Sequence, residues 1–379
     1  MDKENRPIYL DCNATTPIDP RVRDTLLYYI DLEYGNAGSR THVYGQEARK
    51  GVQRAREQVA AVVDATPDEV IFTSGATEAN NLAILGLAEY GLNTGKRHIL
   101  STQIEHKAVL EPLEVMQSRG FEVELVTPTK GGFVEAEEFA KRIREDTLLV
   151  SVMHVNNETG VIQPLDEIAE SISSADAFFH VDAAQGFGKE LTPLKKRRID
   201  MISVSGHKVH APVGVGALIV RKARRCNRVL KPLLVGGGQE RGLRSGTISA
   251  ALCAAFGKAS LLAFEENDIR REHCRNVEKS FLLFFKNHEL VRNGSADRCL
   301  YTTYNFHVKN VDAELLILKL KKHLALSTGS ACTSFGFEHS HVLKSMNLNP
   351  KIVSSSCRAS WTYMTPVISL EALPPAFFL

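Results

Sequence analysis

The stretch Ser203-Val204-Ser205-Gly206-His207-Lys208 ends an apolar run (199–204) in small and polar residues and then a lysine. A buried strand delivers a side chain to the mouth of a sheet in this way. A lysine amine in water has a pKa of about 10.4 and is almost entirely charged. Burial or a cationic neighbour lowers that value and exposes the neutral nucleophile. Lys208 is therefore a candidate for Schiff-base chemistry, although a lone lysine after a strand is more often simply solvated.

Two further strand ends change that weighing. Phe179-His180-Val181-Asp182-Ala183-Ala184-Gln185 is a short apolar strand closing in an acid and an amide. Val70-Ile71-Phe72-Thr73-Ser74-Gly75-Ala76-Thr77-Glu78 reads as strand, small-residue turn and helix start. The open N–H groups of a helix N-terminus attract phosphate. An aspartate at a strand end can pair with a protonated pyridine nitrogen, which pyridoxal phosphate (PLP) needs to act as an electron sink. Phosphate cradle, aspartate and lysine thus arrive in order, each at the end of a predicted strand.

The elements that must position them alternate regularly. Apolar runs predict strands over 70–73, 98–101, 121–126, 148–154, 177–181, 201–204 and 216–220. Helical spacing falls between them, over 77–90, 107–119, 135–144 and 165–173. Such alternation means an α/β fold with a mainly parallel sheet covered by helices. Ligands bind such sheets outside the carboxyl ends of the strands, where the polar motifs lie. Upstream, 9–17 reads as an entry strand and turn. Asp19-Pro20 starts a helix with Val22, Leu26, Leu27 and Ile30 on one face. A Gly-rich loop at 35–42 precedes a helix over 47–63. Beyond Gly236-Gly237-Gly238 a long helical region (249–285), an alternating strand (301–308) with one exposed face and an amphipathic helix (313–322) describe a smaller α+β domain. We expect a large domain over 15–255 and a small one over 1–14 and 256–379, in keeping with a chain of 379 residues.

Composition excludes several classes. A net charge of +2 exerts no whole-protein pull toward nucleic acid. The basic runs Lys195-Lys196-Arg197-Arg198 and 221–228 read as solvated surface, so no direct nucleic-acid binding is expected. The first residues are charged and carry no apolar signal core. The apolar stretch 248–264 is interrupted by Lys258 and is too short to span a bilayer, so a cytoplasmic setting without membrane contact is the default. Seven scattered cysteines with no C-x-x-C pair argue against a disulfide framework and against a structural zinc site. No metal is expected.

The ordered motifs Ser74-Gly75-Ala76-Thr77-Glu78, Glu105-His106, Asn156-Asn157-Glu158, His180-Val181-Asp182 and Ser205-Gly206-His207-Lys208 resemble the class V, fold-type I PLP enzymes. Arg244-Ser245-Gly246-Thr247 and Ser327-Thr328-Gly329-Ser330-Ala331-Cys332-Thr333-Ser334 narrow the resemblance to cysteine desulfurases of the NifS/IscS-like group, over 9–361. The resemblance implies a seven-stranded sheet and PLP linked to Lys208, which also moves the α-proton. His106 stacks on the ring and takes part in proton transfer, Asp182 pairs with the ring nitrogen, and Gln185 pairs with the phenolic oxygen. Ala76, Thr77, Ser205 and His207 hold the phosphate, completed by Thr247 from the second subunit of a homodimer. Arg358, Asn157 and Asn36 bind L-cysteine, and Cys332 takes its sulfur as a persulfide for a protein acceptor. Two departures stand out: Ala37 replaces a usual proline, and Cys357 stands where an aliphatic residue is usual. The pathway served is iron–sulfur assembly, tRNA thiolation or DNA phosphorothioation; the loop at 36–40 and the short tail resemble the last branch. Selenocysteine lyase on the same scaffold and a non-catalytic sulfur-relay subunit are the competing readings.

Overall fold

A computed structural model describes residues 6–223, 226–286, 288–328 and 339–368. Its centre is a seven-stranded sheet in the spatial order Val70–Thr73, Gly216–Val220, Met201–Ser205, Phe178–Asp182, Thr147–Met153, His98–Thr102, Glu122–Val126. All neighbours run parallel except Gly216–Val220, which is antiparallel to both of its partners. The class expected from alternation, α/β with a mostly parallel sheet, is the one observed.

The strands read as continuous apolar runs because both faces are covered. Alternate side chains go to opposite layers. Phe72, Val150, Phe179 and Ile202 pack with helices Val43–Val62 and Ala250–Glu265, whereas Ile71, Leu149, Phe178 and Met201 pack with Ala76–Leu85 and Lys107–Ser118. Gly216 is required by close approach. A Cβ there would stand 2.4 Å from Val204 O and 2.6 Å from Gly75 Cα, so a larger residue would push the Gly75 turn away from the lysine-bearing strand.

A separate apolar cluster joins Leu10 to Phe281, Phe306 and Trp361. It covers a three-stranded antiparallel sheet in which Thr303–Val308 lies between Leu290–Arg292 and Ser356–Ser360. The two-residue strand Ile8–Tyr9 pairs in parallel with Leu324–Ala325, so the start of the chain packs with its C-terminal third.

Several elements differ from the sequence reading. Helix Pro20–Asp31 buries only Val22, with Leu27 44% and Ile30 51% exposed; its predicted apolar face is mostly on the surface. Strand Thr303–Val308 is buried at every position but His307, because it is the central strand and has no exposed face. The long helical region is two helices, Ala250–Glu265 and Asn267–Phe284. The break falls at Glu266, whose carboxylate takes Arg21 and Arg270. The helix expected over 77–90 likewise divides into Ala76–Leu85 and Ala88–Thr94.

One buried ion pair ties the outer edge of the sheet to the helix layer. Arg56 Nη1 donates to Glu240 Oε2 at 2.8 Å and to Val70 O at 2.7 Å, and Phe72 N donates to the same Glu240 oxygen at 2.7 Å. Removing one partner strands the other charge out of water, typically at a cost of about 3–5 kcal/mol. Glu240→Ala should lower the unfolding free energy measured in urea by that amount, while a surface change such as Glu57→Ala should leave it within about 0.5 kcal/mol.

Candidate active site

The carboxyl ends of the sheet open into a cavity of about 410 Å³. Strand Met201–Ser205 passes into a single 3₁₀ turn, Gly206–Lys208, which delivers Lys208 to its wall. The Lys208 ammonium donates to Ala14 O at 2.8 Å and, more closely, to Asn13 O. Asp182, the last residue of its strand, is buried on the cavity floor. Asn80 Nδ2 donates to its Oδ2 at 2.8 Å and Ala184 N to its Oδ1 at 3.0 Å. Two residues earlier on the same face, His180 is fixed between the Ser151 and Ser203 hydroxyls, each at 2.9 Å, and burial lowers its pKa to about 3.

Helix Ala76–Leu85 begins at the cavity with Gly75 as its N-cap. No acceptor among the described residues takes the N–H of Ala76 or Thr77. Ser205 and His207 line the same end, and His207 Nδ1 lies 3.2 Å from Thr15 Oγ1. His106 caps helix Lys107–Ser118, its Nδ1 accepting from Ala108 N at 3.1 Å. That bond leaves the ring proton on Nε2, and burial lowers the pKa, with Asp182 opposing the shift. Gln185 Nε2 donates to Asn13 O at 2.9 Å, while its Oε1 and Asn80 Oδ1 have no hydrogen-bond partner among the described residues.

Arg358 rises from strand Ser356–Ser360, almost wholly buried. Its Nη1 donates to Asn157 O at 3.0 Å and its Nη2 to Asp11 Oδ1 at 2.5 Å. The guanidinium is thus held at the cavity wall already facing a carboxylate.

Of the residues singled out from sequence, Ala76, Thr77, His106, Asn157 and Asp182 meet Gln185, Ser205, His207, Lys208 and Arg358 around this one cavity. Asn36 and Thr247 do not reach it; they line a different cavity of about 210 Å³ beside Arg49 and Arg56. Cys332 lies outside the described residues. Sequence reasoning missed Asn13, Asn80 and Asp11. A polar residue at a fully buried helical position, one turn beyond the phosphate-type turn, was the available signal for Asn80. Asn13 gave none, since it acts largely through its backbone.

These groups fit a ligand with an anionic end and a protonated ring nitrogen. Open helix N–H groups face one end, a buried carboxylate fixed by an amide faces the other, and an amine stands between them. PLP has that form, and Asp182, Lys208 and the Ala76–Thr77 turn are the residues that could hold it.

Behind the site, Glu105 is fully buried. Thr102 Oγ1 and Met153 N donate to Oε1 at 2.7 and 2.9 Å, while Oε2 has no hydrogen-bond partner among the described residues. Burial pushes its pKa up to about 8, from an ordinary 4.5. The stability this group contributes is complete below pH 4.5 and is lost as pH rises through 8. Histidines buried neutral, such as His180, raise stability over the same range in both proteins. Relative to Glu105→Gln, the unfolding free energy of wild type in urea should therefore show a decline of a few kcal/mol between pH 5 and pH 8. An equal decline in the variant would assign it to another group.

Fold and site together define a PLP enzyme of the aminotransferase class. The aminotransferase class-V family model matches residues 8–373, and the chain belongs to that family. Within it the chain is a member of the cysteine desulfurases. It is 44% identical to a mitochondrial cysteine desulfurase of Drosophila melanogaster, over 94% of this chain and 76% of that protein. Among solved structures it is similar to a NifS-like protein (TM-score 0.87, 34% identity, 95% of each chain). DndA from Streptomyces lividans superposes with a TM-score of 0.81 at 45% identity, over 92% of this chain and 98% of that one. Among the described residues no helix is long and apolar enough to cross a membrane.

Proposed function

We propose that this cysteine desulfurase takes sulfur from L-cysteine, releases L-alanine and leaves the sulfur as a persulfide on Cys332. The observation that carries the reading is the meeting of Lys208, Asp182 and Arg358 at one cavity. When bound, PLP supplies a sink for the electron pair released at the substrate's α-carbon.

Asp182, oriented by Asn80 and Ala184, keeps a ring nitrogen protonated. The Ala76 and Thr77 amides, with Thr77, Ser205 and His207 side chains, bind the phosphate. Charge-assisted contacts of this kind are worth about 1.5–3 kcal/mol each. Gln185 would pair with the phenolic oxygen of a bound PLP. Arg358 and Asn157 bind the substrate carboxylate; Asp11 orients the guanidinium beforehand and must share it with substrate. Lys208 Nζ takes the α-proton, and neutral His106 stands ready to move a second one. The Cys332 thiolate attacks the substrate sulfur, forming the S–S bond as the Cβ–S bond breaks, and the carbon keeps that bond's electron pair until it is protonated to alanine. We infer further that Thr247 completes the phosphate site of a second subunit in a homodimer. We infer a large domain over 15–255 and a small one over 1–14 and 256–379; the separate apolar cluster around Phe281, Phe306 and Trp361 supports the division, while Phe256, Ala259 and Leu262 pack with the large sheet. A protein acceptor then removes the sulfur.

The test is alanine release from L-cysteine with a thiol reductant. Alanine and sulfide should appear in equal amounts and continue over many turnovers. Protein that binds PLP yet releases no alanine would be a relay subunit and would overturn the reading.

A further inference from the structure

A second, smaller void lies on the far side of Lys208. It measures about 30 Å³ and is walled by Lys189, His210, Arg270, Cys274, Thr302 and Tyr363, among others. A void of that size admits one water or one monatomic ion, provided polar partners surround it.

Two of its walls lack partners. Lys189 is nine-tenths buried, and its ammonium makes no hydrogen bond or ion pair among the described residues. Thr302 Oγ1 is buried and also without a hydrogen-bond partner there. Both groups offer hydrogens. The other cation, Arg270, is already balanced, with Glu266 at 2.9 Å, Asp19 at 3.8 Å and the Tyr363 ring at 3.9 Å.

No carboxylate lines the void. The groups that feel the Lys189 charge most are thiols, Cys12 and Cys274, and burial pushes their pKa values up to about 11 and 12, so both stay protonated and neutral. His210 is neutral as well, its pKa lowered to about 3 by burial. A buried ammonium without a counter-charge costs several kcal/mol, and burial lowers the Lys189 pKa to about 8, which leaves it mostly protonated at neutral pH. A water would leave the charge uncompensated, whereas a monovalent anion removes it and accepts both orphaned donors.

We propose that this void is a binding site for one chloride-sized inorganic anion, held by Lys189 Nζ and Thr302 Oγ1 between the large sheet and the C-terminal unit. The site is separate from the proposed PLP cavity and shares with it only the Lys208 side chain.

Crystals of the PLP-loaded protein soaked in sodium bromide test it. An anomalous peak within contact distance of Lys189 Nζ is expected. In solution, replacing gluconate by chloride at constant ionic strength should raise the melting temperature of wild type, and Lys189→Met should abolish that rise. Should Lys189→Met not fold, Thr302→Val keeps the charge and should raise the chloride midpoint about tenfold, one 1.4 kcal/mol hydrogen bond. A void without a bromide peak overturns the proposal. So does a chloride response that is unchanged in either variant.

Discussion

Cys332→Ser should bind PLP and L-cysteine as wild type does, give the spectral change of substrate exchange at Lys208, and release almost no alanine or sulfide. Lys208, Asp182 and Arg358 suffice for binding and for removing the α-proton, but a hydroxyl does not accept sulfur from cysteine. The chain on either side of the Cys332 segment is fastened to the cavity walls. Ser327 exchanges backbone hydrogen bonds with Arg358 at 2.7 and 3.1 Å, and Ser340 Oγ donates to Glu158 Oε2 at 2.5 Å. The other thiols are poor substitutes. Cys12, Cys226, Cys253, Cys274 and Cys357 are buried, and Cys299 is half-buried with its pKa raised. Cys357, though adjacent to Arg358, turns its thiol toward Ala313 O, and burial pushes its pKa up to about 12. Mass spectrometry after turnover should find the persulfide on the Cys332 peptide. Persulfide on Cys357, with Cys332→Ser still active, would reassign the nucleophile.

Lys208→Ala should have an effect of comparable size by a different route. The variant loses the covalent link to PLP and the base for the α-proton, and general-base loss alone costs about 10²–10⁴ in rate. It should still take up the cofactor, because Asp182 and the helix N-terminus at Ala76 are untouched. Borohydride should fix no cofactor to the peptide spanning residue 208, and alanine release should fall by at least about a thousandfold. The fold should survive, since Gln185 Nε2 still donates to the Asn13 carbonyl. Alanine release near the wild-type rate would refute the role given to Lys208.

Much of this arrangement is legible in the sequence because a parallel sheet sends its functional residues to strand ends. Thr73, Asp182 and Ser205 each close an apolar run, and each closes a strand in the structure. What stayed hidden depends on contacts between distant segments. Strand Thr303–Val308 looked half exposed because its alternating polar residues are internal; Asn305, for example, donates to Glu158 O and is paired with Asn293. Helix Pro20–Asp31 carries the periodicity of a buried face, yet Leu27 and Ile30 are left uncovered. Local pattern reports that a stripe is apolar, and only the packing partner decides whether it is covered. Asp11 was passed over for a related reason. Its partner Arg358 lies 347 residues away, and no local pattern couples the two.

The position of Asn13 fixes when the site can come into being. Its side-chain Nδ2 donates to Asn157 O and Thr303 Oγ1, its N–H donates to Ser360 Oγ, and its carbonyl receives Gln185 and Lys208. These contacts span sequence separations of 144, 290 and 347 residues. The strands of the central sheet end at Val220 and the helix that closes one of its faces ends at Glu265, so the sheet can form before the C-terminal third is made. Contacts of such long range form late, because the loops they close must first lose their freedom. On a ribosome that adds about 5–20 residues per second, the Lys208 wall has to wait for Ser360 to emerge before Asn13 can settle against it. The sheet can thus be folded while its mouth is unfinished, and the Lys208 wall is complete only once Ser360 is in place.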